Sequence, residues 1–374
     1  MAVIRTVSYK RWEVLHKRPD RAMVGPRSGQ TSTMINHQVR AVMAANGGLL
    51  TWAEARDCGL SSAQLRSLVR QGALVPLRRG LYADGELWRS LDPYREQHRL
   101  RTRAVLRGLK RGYVVSHDSA AHEHAMDILL PPGPHTHITR PGSTTAWTRY
   151  GVKHHYAGYQ PAQVIEINEL EVLDMARTAV DMAREHGEPY GEIACDAAMR
   201  AGVSRDALRE ALAVMFCWPH VQRARRAVEF ADPGAQTVIE TLGRLLVQEL
   251  GIGHVETQFP FRRRNGRVAW ADMRVGCHVF ETHGKIKILA PEDGGVAESP
   301  PAEVAWNLRK RDHDTFREGL GTSHIYWEDC WPPRRPEALR RLREEYDDTV
   351  RRFGTRLPQR LERQAREIRG HAPA

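Results

Sequence analysis

The segment NGGLLTWAEARDCGLSSAQLRSLVRQGALVPLRRGLY, residues 46–82, contains two helix starts, a glycine turn between them and an alternating pattern after them. Thr51 with Glu54 three residues later has the spacing of a capping box, which satisfies free backbone amides at a helix N-terminus. Gly59 provides the turn, and Ser61 or the serine after it caps the second helix. This order predicts a helix-turn-helix.

The second of these helices has two chemically different faces. Leu65, Leu68 and Val69 form an apolar stripe that would pack on a core. The other face carries polar and basic side chains of the kind that reach base edges from a helix in the major groove. The base-reading candidates are Ser62, Gln64, Arg66 and Arg70.

Residues 74–82 alternate as a short β-hairpin does. A hairpin directly after a helix-turn-helix is the wing of a winged helix, and its basic tip, Arg78 and Arg79, would contact phosphates. The alternative is a small packing module with a solvated basic face. The ordered caps, turn and hairpin favour DNA binding.

The composition is consistent with a polyanionic partner. The formal net charge is +11, and most of the cationic side chains are arginine, whose planar guanidinium suits phosphates and base edges. An arginine-rich composition without a special partner is the alternative. Hydrophobic residues make up 41% and charged residues 27%, values that are ordinary for globular proteins.

Cysteine usage and hydropathy bear on location. The five cysteines form no CxxC pair, so neither a zinc knuckle nor a disulfide framework is indicated. No stretch reaches the roughly eighteen apolar residues of a membrane span, and the first residues lack an apolar signal core. We therefore expect a cytoplasmic protein with no membrane partner.

A chain of 374 residues exceeds what one hydrophobic core usually organises. We expect an α+β multidomain protein with a winged helix-turn-helix, an α+β middle domain and a restriction-endonuclease-like α/β core. The predicted segments are a disordered basic arm (1–33), the winged helix (34–90), the middle domain (91–230), the endonuclease-like domain (231–335) and an arginine-rich C-terminal helix and tail (336–374). Whether translation starts at Met1 or Met34 is left open.

The middle segment contains three histidines close together, His117, His122 and His124. His117 ends a predicted strand at 113–117, and His122 and His124 belong to a predicted helix at 118–125. No carboxylate or cysteine stands beside them in a recognised metal-ligand spacing. We therefore expect these histidines to serve packing and hydrogen bonding rather than a metal.

The last domain carries residues suited to metal-dependent phosphodiester hydrolysis. Asp272 and Glu281 fall on neighbouring predicted strands, where their carboxylates could hold Mg²⁺. A nearby lysine could activate water and stabilise phosphate charge. The candidate catalytic residues are Glu240, Asp272, Glu281, Lys285 and Lys287, with Asp272 and Glu281 as the metal ligands.

Residues 36–230 resemble the AbiEi-type antitoxin and predicted transcriptional regulator family. The matching text is the segment at 46–82 quoted above, followed by VVSHDSAAHEH at 114–124, THITRPG at 136–142 and LEVLDMARTAVDMA at 170–183. The resemblance implies a winged helix that binds double-stranded DNA, and as a partner a cognate toxin or a phage protein.

Residues 235–331 are similar to the endonuclease-like family related to very-short-patch repair nucleases, with the PD-(D/E)XK fold. The resemblance places Glu240 on the helix acid, Asp272 on the metal-binding aspartate, Glu281 on the second strand acid and Lys287 on the lysine, with Arg311 and Asp312 on a late basic helix. Where that family has aspartate before glycine, ETHGKIK at 281–287 has His283. Histidine does not replace carboxylate charge at a Mg²⁺ site.

Three functions follow as hypotheses. The favoured one is a DNA-binding, antitoxin-like transcriptional regulator of a toxin–antitoxin or phage-defence system, whose nuclease domain is degenerate and needs no cofactor. The alternative is a Mg²⁺-dependent DNA endonuclease that uses Asp272, Glu281 and Lys287. The third is a structural or interaction protein whose basic charge only aids solvation and whose C-terminal helix packs internally.

Overall fold

A computed structural model describes residues 35–109, 112–142, 145–263, 266–284 and 315–371. Several predictions lie outside these residues. They are the basic arm at 1–33, the lysines Lys285 and Lys287, the positions Arg311 and Asp312, and all but the last residues of the helix expected at 302–318.

The chain has a mixed α/β fold with more than one compact unit. Within the described residues, one unit comprises 35–187 and 206–226, and the other comprises 188–205 and 227–371. Three sheets are present in the described parts, with three, four and six strands. The α+β multidomain prediction is confirmed at this level, and the finer domain boundaries stay predictions.

The first part of the first unit contains three helices, a three-stranded sheet and one more helix. The elements are α1 (His37–Ala45), β1 (Leu49–Thr51), α2 (Trp52–Asp57), α3 (Ser62–Arg70), β2 (Leu74–Arg78), β3 (Leu81–Asp84) and α4 (Gly85–Ser90). The sheet order is β1-β3-β2, and both pairings are antiparallel. Strand β1 extends the predicted hairpin by one strand.

An apolar core fixes how these helices pack. Val39 of α1, Leu50 of β1, Leu68 of α3 and Leu74 of β2 are essentially inaccessible to solvent. Full burial of one such side chain stabilises a fold by about 1.5–3 kcal/mol. The stripe predicted on α3 thus faces the core, and the opposite face of that helix is left outward.

The rest of the first unit is built on a six-stranded mixed sheet, in the order β6-β7-β5-β4-β9-β8. Its elements are α5 (Glu96–Arg107), β4 (Val114–Val115), α6 (His117–Glu123), β5 (Thr136–Arg140), β6 (Thr145–Arg149), β7 (Val152–Tyr156), β8 (Val164–Ile167), β9 (Leu170–Leu173) and α7 (Met175–His186). Strands β5 and β7 pair in parallel, as do β4 and β9. Sequence periodicity missed β6, β7 and β9.

Three helices follow α7 along the chain. They are α8 (Tyr190–Arg200), α9 (Arg205–Ala213) and α10 (Val221–Phe230). In the second unit, Asp196 of α8 accepts a hydrogen bond from Arg244 at 2.7 Å, and both side chains are almost fully buried. This pair anchors α8 to the next helix.

The second unit contains a four-stranded sheet in the order β10-β11-β12-β13. Its elements after α10 are α11 (Val238–Glu249), β10 (Glu256–Arg262), β11 (Val268–Val275), β12 (His278–His283), β13 (Gly321–Tyr326), α12 (Arg335–Phe353) and α13 (Gln359–His371). Strand β12 pairs antiparallel with β11 and parallel with β13. The long helix predicted at 336–352 is α12, and its residues Leu342 and Tyr346 are buried as expected.

Among the described residues, no helix is both long and apolar enough to cross a membrane. Cys195, Cys277 and Cys330 are buried, and all five cysteines are free thiols.

Candidate nucleic-acid interface and carboxylate site

Helix α3 begins with a complete capping box. The Ser61 hydroxyl oxygen accepts a hydrogen bond from the Gln64 backbone amide at 3.2 Å, and the Gln64 side-chain oxygen accepts one from the Ser61 amide at 2.8 Å. Two otherwise free donors are satisfied, which fixes the start of the helix. Of the two candidate caps, the structure selects Ser61.

The outward face of α3 presents the predicted side chains. Ser62, Gln64, Arg66 and Arg70 are all exposed, whereas Leu65 and Leu68 are buried. Ser62, Arg66 and Arg70 are four residues apart, so they lie along one line of the helix surface. The structure thus brings these three together, while the Gln64 oxygen is occupied by the cap.

The helix α2 is held to the hairpin and to α5. The Trp52 amide donates to the Gly80 carbonyl at 2.8 Å, and Arg107 of α5 donates to the Glu54 carboxylate at 2.6 Å. Partial burial raises the pKa of Glu54, but hydrogen bonds from Thr51 and the charge of Arg107 outweigh burial and lower it. The Glu54 carboxylate is therefore charged, and its ion pair with Arg107 links α2 to α5.

The two arginines of the predicted wing have different surroundings. Strand β2 reaches Arg78 and β3 starts at Leu81, so Arg79 and Gly80 form the turn, with Gly80 at φ +75°. Arg79 is exposed, as predicted for a tip. Arg78 is half-buried, and its Nη1 atom is buried without a hydrogen-bond partner.

Arg78 lines a cavity of about 90 Å³ together with His98, Arg101 and His122. The His98 and His122 rings stack with their centroids 4.6 Å apart. Burial lowers the pKa of His98 to about 4 and that of His122 to about 3. These imidazoles are neutral at pH 7, so Arg78 shares its cavity with an uncharged histidine pair.

The three histidines singled out from the sequence serve different purposes. His122 packs in the ring stack just described, and His124 forms a 2.7 Å hydrogen bond with the Leu173 carbonyl. Both agree with the predicted packing and hydrogen bonding. His117 instead meets His137 and His155, which sequence reasoning did not connect with it because they lie on separate strands.

Asp272 and Glu281 lie on the adjacent strands β11 and β12, as expected. The strand ladder runs as far as the pair Met273↔Phe280, and the next residue, Asp272, accepts two hydrogen bonds of 2.8 Å from the amide and hydroxyl of Thr282. Asp272 is half-buried and Glu281 is buried. The structure thus brings these two carboxylates to one region of the sheet.

Glu240 is placed at the N-terminus of α11. Its carboxylate accepts hydrogen bonds from the Gln236 amide at 2.8 Å, the Thr237 hydroxyl at 2.9 Å and the Gln258 side chain at 3.1 Å. These contacts satisfy the start of the helix. A structural role therefore accounts for this buried acid, and its predicted catalytic role stays a prediction.

His283 stands where the endonuclease-like family has an aspartate. It forms a hydrogen bond with a residue of the neighbouring strand. Its Nε2 lies 2.7 Å from Nδ1 of His324 on β13. In the described ranges, no group of three histidine, cysteine or carboxylate ligands forms around Asp272 and Glu281. The lysines Lys285 and Lys287 lie outside those ranges.

Comparisons with known proteins give partial matches. The chain is 31% identical over 106 residues to the uncharacterized proteins MT2308 and Rv2248 of Mycobacterium tuberculosis, strains CDC 1551 / Oshkosh and ATCC 25618 / H37Rv. The match covers 27% of this chain, which spans 39% of the length of these curated relatives.

A solved structure and a family model also match. The crystal structure of the RV2827C protein from Mycobacterium tuberculosis is 17% identical, with a TM-score of 0.34, and the match covers 51% of this chain and 75% of that one. The resemblance of the last domain to very-short-patch repair nucleases stays a prediction. Residues 37–83, from α1 into β3, match the family described as "Transcriptional regulator, AbiEi antitoxin".

Proposed function

We propose that this protein is a DNA-binding transcriptional regulator of the antitoxin kind, in which α3 is the recognition helix of a winged helix and β2–β3 is its wing. The observation that carries this proposal is the outward face of α3, where Ser62, Arg66 and Arg70 line up one turn apart. Such a row reaches successive base edges or phosphates when the helix lies in the major groove.

The charges of this surface support the same function. Among the described residues, no carboxylate forms an ion pair with Arg66, Arg70 or Arg79, whereas Arg107 is paired with Glu54. Unpaired guanidinium groups on one surface attract a polyanion and release its counterions on binding. Double-stranded DNA is the partner that fits both the helix face and the charges.

The other proposed partner is a cognate toxin or a phage protein, as in a toxin–antitoxin or phage-defence system. The family match over residues 37–83 supports this idea for the N-terminal part. The last domain would then bind the partner or nucleic acid without cutting it. We also propose a cytoplasmic location.

DNA binding is tested with the full chain and labelled duplex DNA from upstream of its own gene. Fluorescence anisotropy compares the parent protein with Arg66→Ala and Arg70→Ala. Each loss of a base or phosphate contact should weaken binding by about 1–3 kcal/mol, roughly 5- to 150-fold. Equal affinity in all variants would contradict the proposal.

The matched control is Arg363→Ala, which removes the same charge from an exposed position on α13. It should leave DNA affinity nearly unchanged. If this control weakens binding as much as Arg66→Ala does, general charge rather than the α3 face would hold the DNA.

A second candidate function is Mg²⁺-dependent cleavage of DNA, and the position of Asp272 and Glu281 on neighbouring strands favours it. Two carboxylates fit Mg²⁺, which prefers oxygen ligands. Where the usual third acid would lie, His283 is bonded to His324, and an imidazole supplies no negative charge. We therefore propose that this domain is a degenerate nuclease that still binds nucleic acid.

Incubation of the protein with supercoiled and linear DNA, in Mg²⁺, Mn²⁺ or EDTA, distinguishes these functions. A regulator retards DNA in every lane and leaves it intact. Metal-dependent nicking that disappears in both Asp272→Ala and Glu281→Ala would instead establish an endonuclease. Nicking that persists in both variants would indicate a contaminating enzyme.

A further inference from the structure

Three histidines from separate elements meet in the interior of the first unit. His117 begins α6, His137 lies on β5 and His155 on β7, and each offers a ring nitrogen within 4.8 Å of the others. Their exposed fractions are 3%, 2% and 6%. Three imidazoles so placed are a ligand set that suits Zn²⁺ and similar borderline metal ions.

The two strand histidines are spaced as metal ligands are. His137 Nδ1 and His155 Nε2 are 3.0 Å apart, a distance at which they share a hydrogen bond. Two imidazole nitrogens bound to one tetrahedral Zn²⁺ are separated by about 3.3 Å, since each lies roughly 2.0–2.1 Å from the metal. The His117 ring stacks on His155 with centroids 3.8 Å apart, and one of its ring nitrogens lies within 4.8 Å of the nitrogens of His137 and His155.

The backbone of His117 is unusual. It has φ +50°, a left-handed conformation that a non-glycine residue adopts at some cost. The strain lies where β4 ends and α6 begins, and there it puts the imidazole beside His155. Strain of this kind is found most often at sites that bind or react.

A buried carboxylate orients the second ligand. Asp118 Oδ2 lies 3.3 Å from His137 Nε2 and 2.7 Å from His186 Nε2. With its Nε2 hydrogen turned to Asp118, His137 directs the Nδ1 lone pair at His155. Metal-binding histidines typically donate their second ring nitrogen to a carboxylate in this way.

One carboxylate oxygen of Asp118 lacks a compensating partner. Its Oδ1 atom is buried and has no hydrogen-bond partner. A buried carboxylate is costly unless charges or donors compensate it. A divalent cation held by the adjacent His137 would supply positive charge at this position.

One side of the cluster is open. His117 and His155 border a cavity of about 270 Å³, which is also lined by Lys153, Arg184 and Glu185. A site with three protein ligands and an accessible fourth position holds water or a small ligand on the metal. The cavity gives the ion a route in and leaves that position free.

We propose that His117, His137 and His155 bind one Zn²⁺ ion, with Asp118 as the residue that orients His137 and a water from the cavity as the fourth ligand. This site is separate from the proposed DNA-binding face and from the carboxylates of the last domain. It therefore stands or falls independently of the proposed function.

The test uses the full chain, stripped of metal with EDTA and titrated with Co²⁺ as a spectroscopic probe. We expect one Co²⁺ per chain with the intense visible absorption of a four-coordinate site, displaced by one equivalent of Zn²⁺. His137→Gln and His155→Gln should weaken Co²⁺ binding at least 100-fold. An absorption limited to that of aqueous Co²⁺, or a band that survives in both variants, would overturn the proposal.

Two controls separate this site from other histidines. His154→Gln changes the residue that precedes His155 in the sequence. The His154 ring stacks on Trp147 and lies outside the cluster. His283→Gln removes half of the other close pair. Both should bind Co²⁺ as the parent protein does, and loss of the band in His283→Gln would move the metal to the second unit and overturn the assignment.

Asp118→Asn tests the positioning residue and serves as the deciding variant if a histidine variant fails to fold. Loss of an outer-shell carboxylate typically weakens metal binding 10- to 100-fold while the ligands remain. We expect a weakened site with the same visible spectrum, and circular dichroism would establish that the variant is folded. Unchanged affinity in folded Asp118→Asn would overturn the role of this carboxylate.

Discussion

Ser61 and Gln64 hold each other at the start of α3. The serine hydroxyl oxygen accepts from the glutamine amide at 3.2 Å, and the glutamine side-chain oxygen accepts from the serine amide at 2.8 Å. The amino-acid sequence predicts that Gln64 contacts DNA bases. In this structure its side-chain oxygen stabilises the helix that presents Arg66 and Arg70, so it would support the proposed DNA recognition indirectly.

A pair of substitutions separates capping from DNA contact. Ser61→Ala should lower the free energy of unfolding by about 1 kcal/mol, since the N-cap acceptor is lost. Gln64→Glu keeps an acceptor at the third helical position and should retain stability, while its negative charge weakens binding to phosphates. Urea unfolding and DNA anisotropy measure the two effects. A Ser61→Ala protein as stable as the parent would contradict the capping role of Ser61.

The two arginines of the proposed wing should contribute differently to the salt dependence of DNA binding. Arg79 is exposed at the turn, so Arg79→Ala should reduce the slope of log K against log salt by about 1, the value for one lost phosphate contact. Arg78 lines the cavity beside His98 and Arg101, so Arg78→Ala should lower stability and change the slope less. Anisotropy titrations at several salt concentrations provide both slopes.

The charge-conserving variant Arg79→Lys is the control for that experiment. It should keep most of the salt slope, because a phosphate contact needs charge more than planar geometry. A larger slope change in Arg78→Ala than in Arg79→Ala would show that Arg78 leaves the cavity to reach the DNA.

The N-terminal elements were predictable because their determinants are local. Capping residues, Gly59 and the apolar stripe of α3 act within a few residues of one another, and the structure has the two helices where the sequence indicated them. The position of Arg78 was not predictable in this way. It depends on His98 and Arg101, which reach the cavity from a helix about twenty residues further along the chain.

The cluster of His117, His137 and His155 was also not predictable from local sequence patterns. Its members come from α6, β5 and β7, and they meet because β5 pairs in parallel with β7, which no local pattern encodes. Glu240 is the opposite case. Thr237 precedes it by three residues, the spacing of a helix cap, so the sequence did contain the signal for its structural role.

Glu240 allows a test of that structural role. Glu240→Ala removes the acceptor of hydrogen bonds from Gln236, Thr237 and Gln258, so it should lower the free energy of unfolding by about 1–3 kcal/mol. Glu240→Gln keeps an acceptor and should recover part of this loss. Urea unfolding of the two variants and the parent measures the difference, and a fully stable Glu240→Ala protein would contradict the capping role.

Stability should fall in acid because of the His98–His122 stack. Burial lowers the pKa of His98 to about 4 and that of His122 to about 3, below the value of about 6.5 for an unfolded histidine. Charged groups near the two rings also act on them; these are Asp92, Arg95, Arg99, Arg101 and Asp118. Because the rings are neutral in both states above pH 6.5, their packing contributes fully there.

As the pH falls below about 6.5, these histidines become protonated in the unfolded chain but stay neutral in the folded one, where their pKa values are lower. The free energy of unfolding therefore decreases. The loss continues through the folded pKa values near 4 and 3, at up to about 1.4 kcal/mol per pH unit for each histidine. The double variant His98→Gln/His122→Gln should therefore show a shallower decline in urea unfolding between pH 6.5 and 4 than the parent protein. His37→Gln, at an exposed position on α1, should decline as the parent does. A double variant whose stability falls as steeply as the parent's would assign the acid sensitivity to other buried histidines.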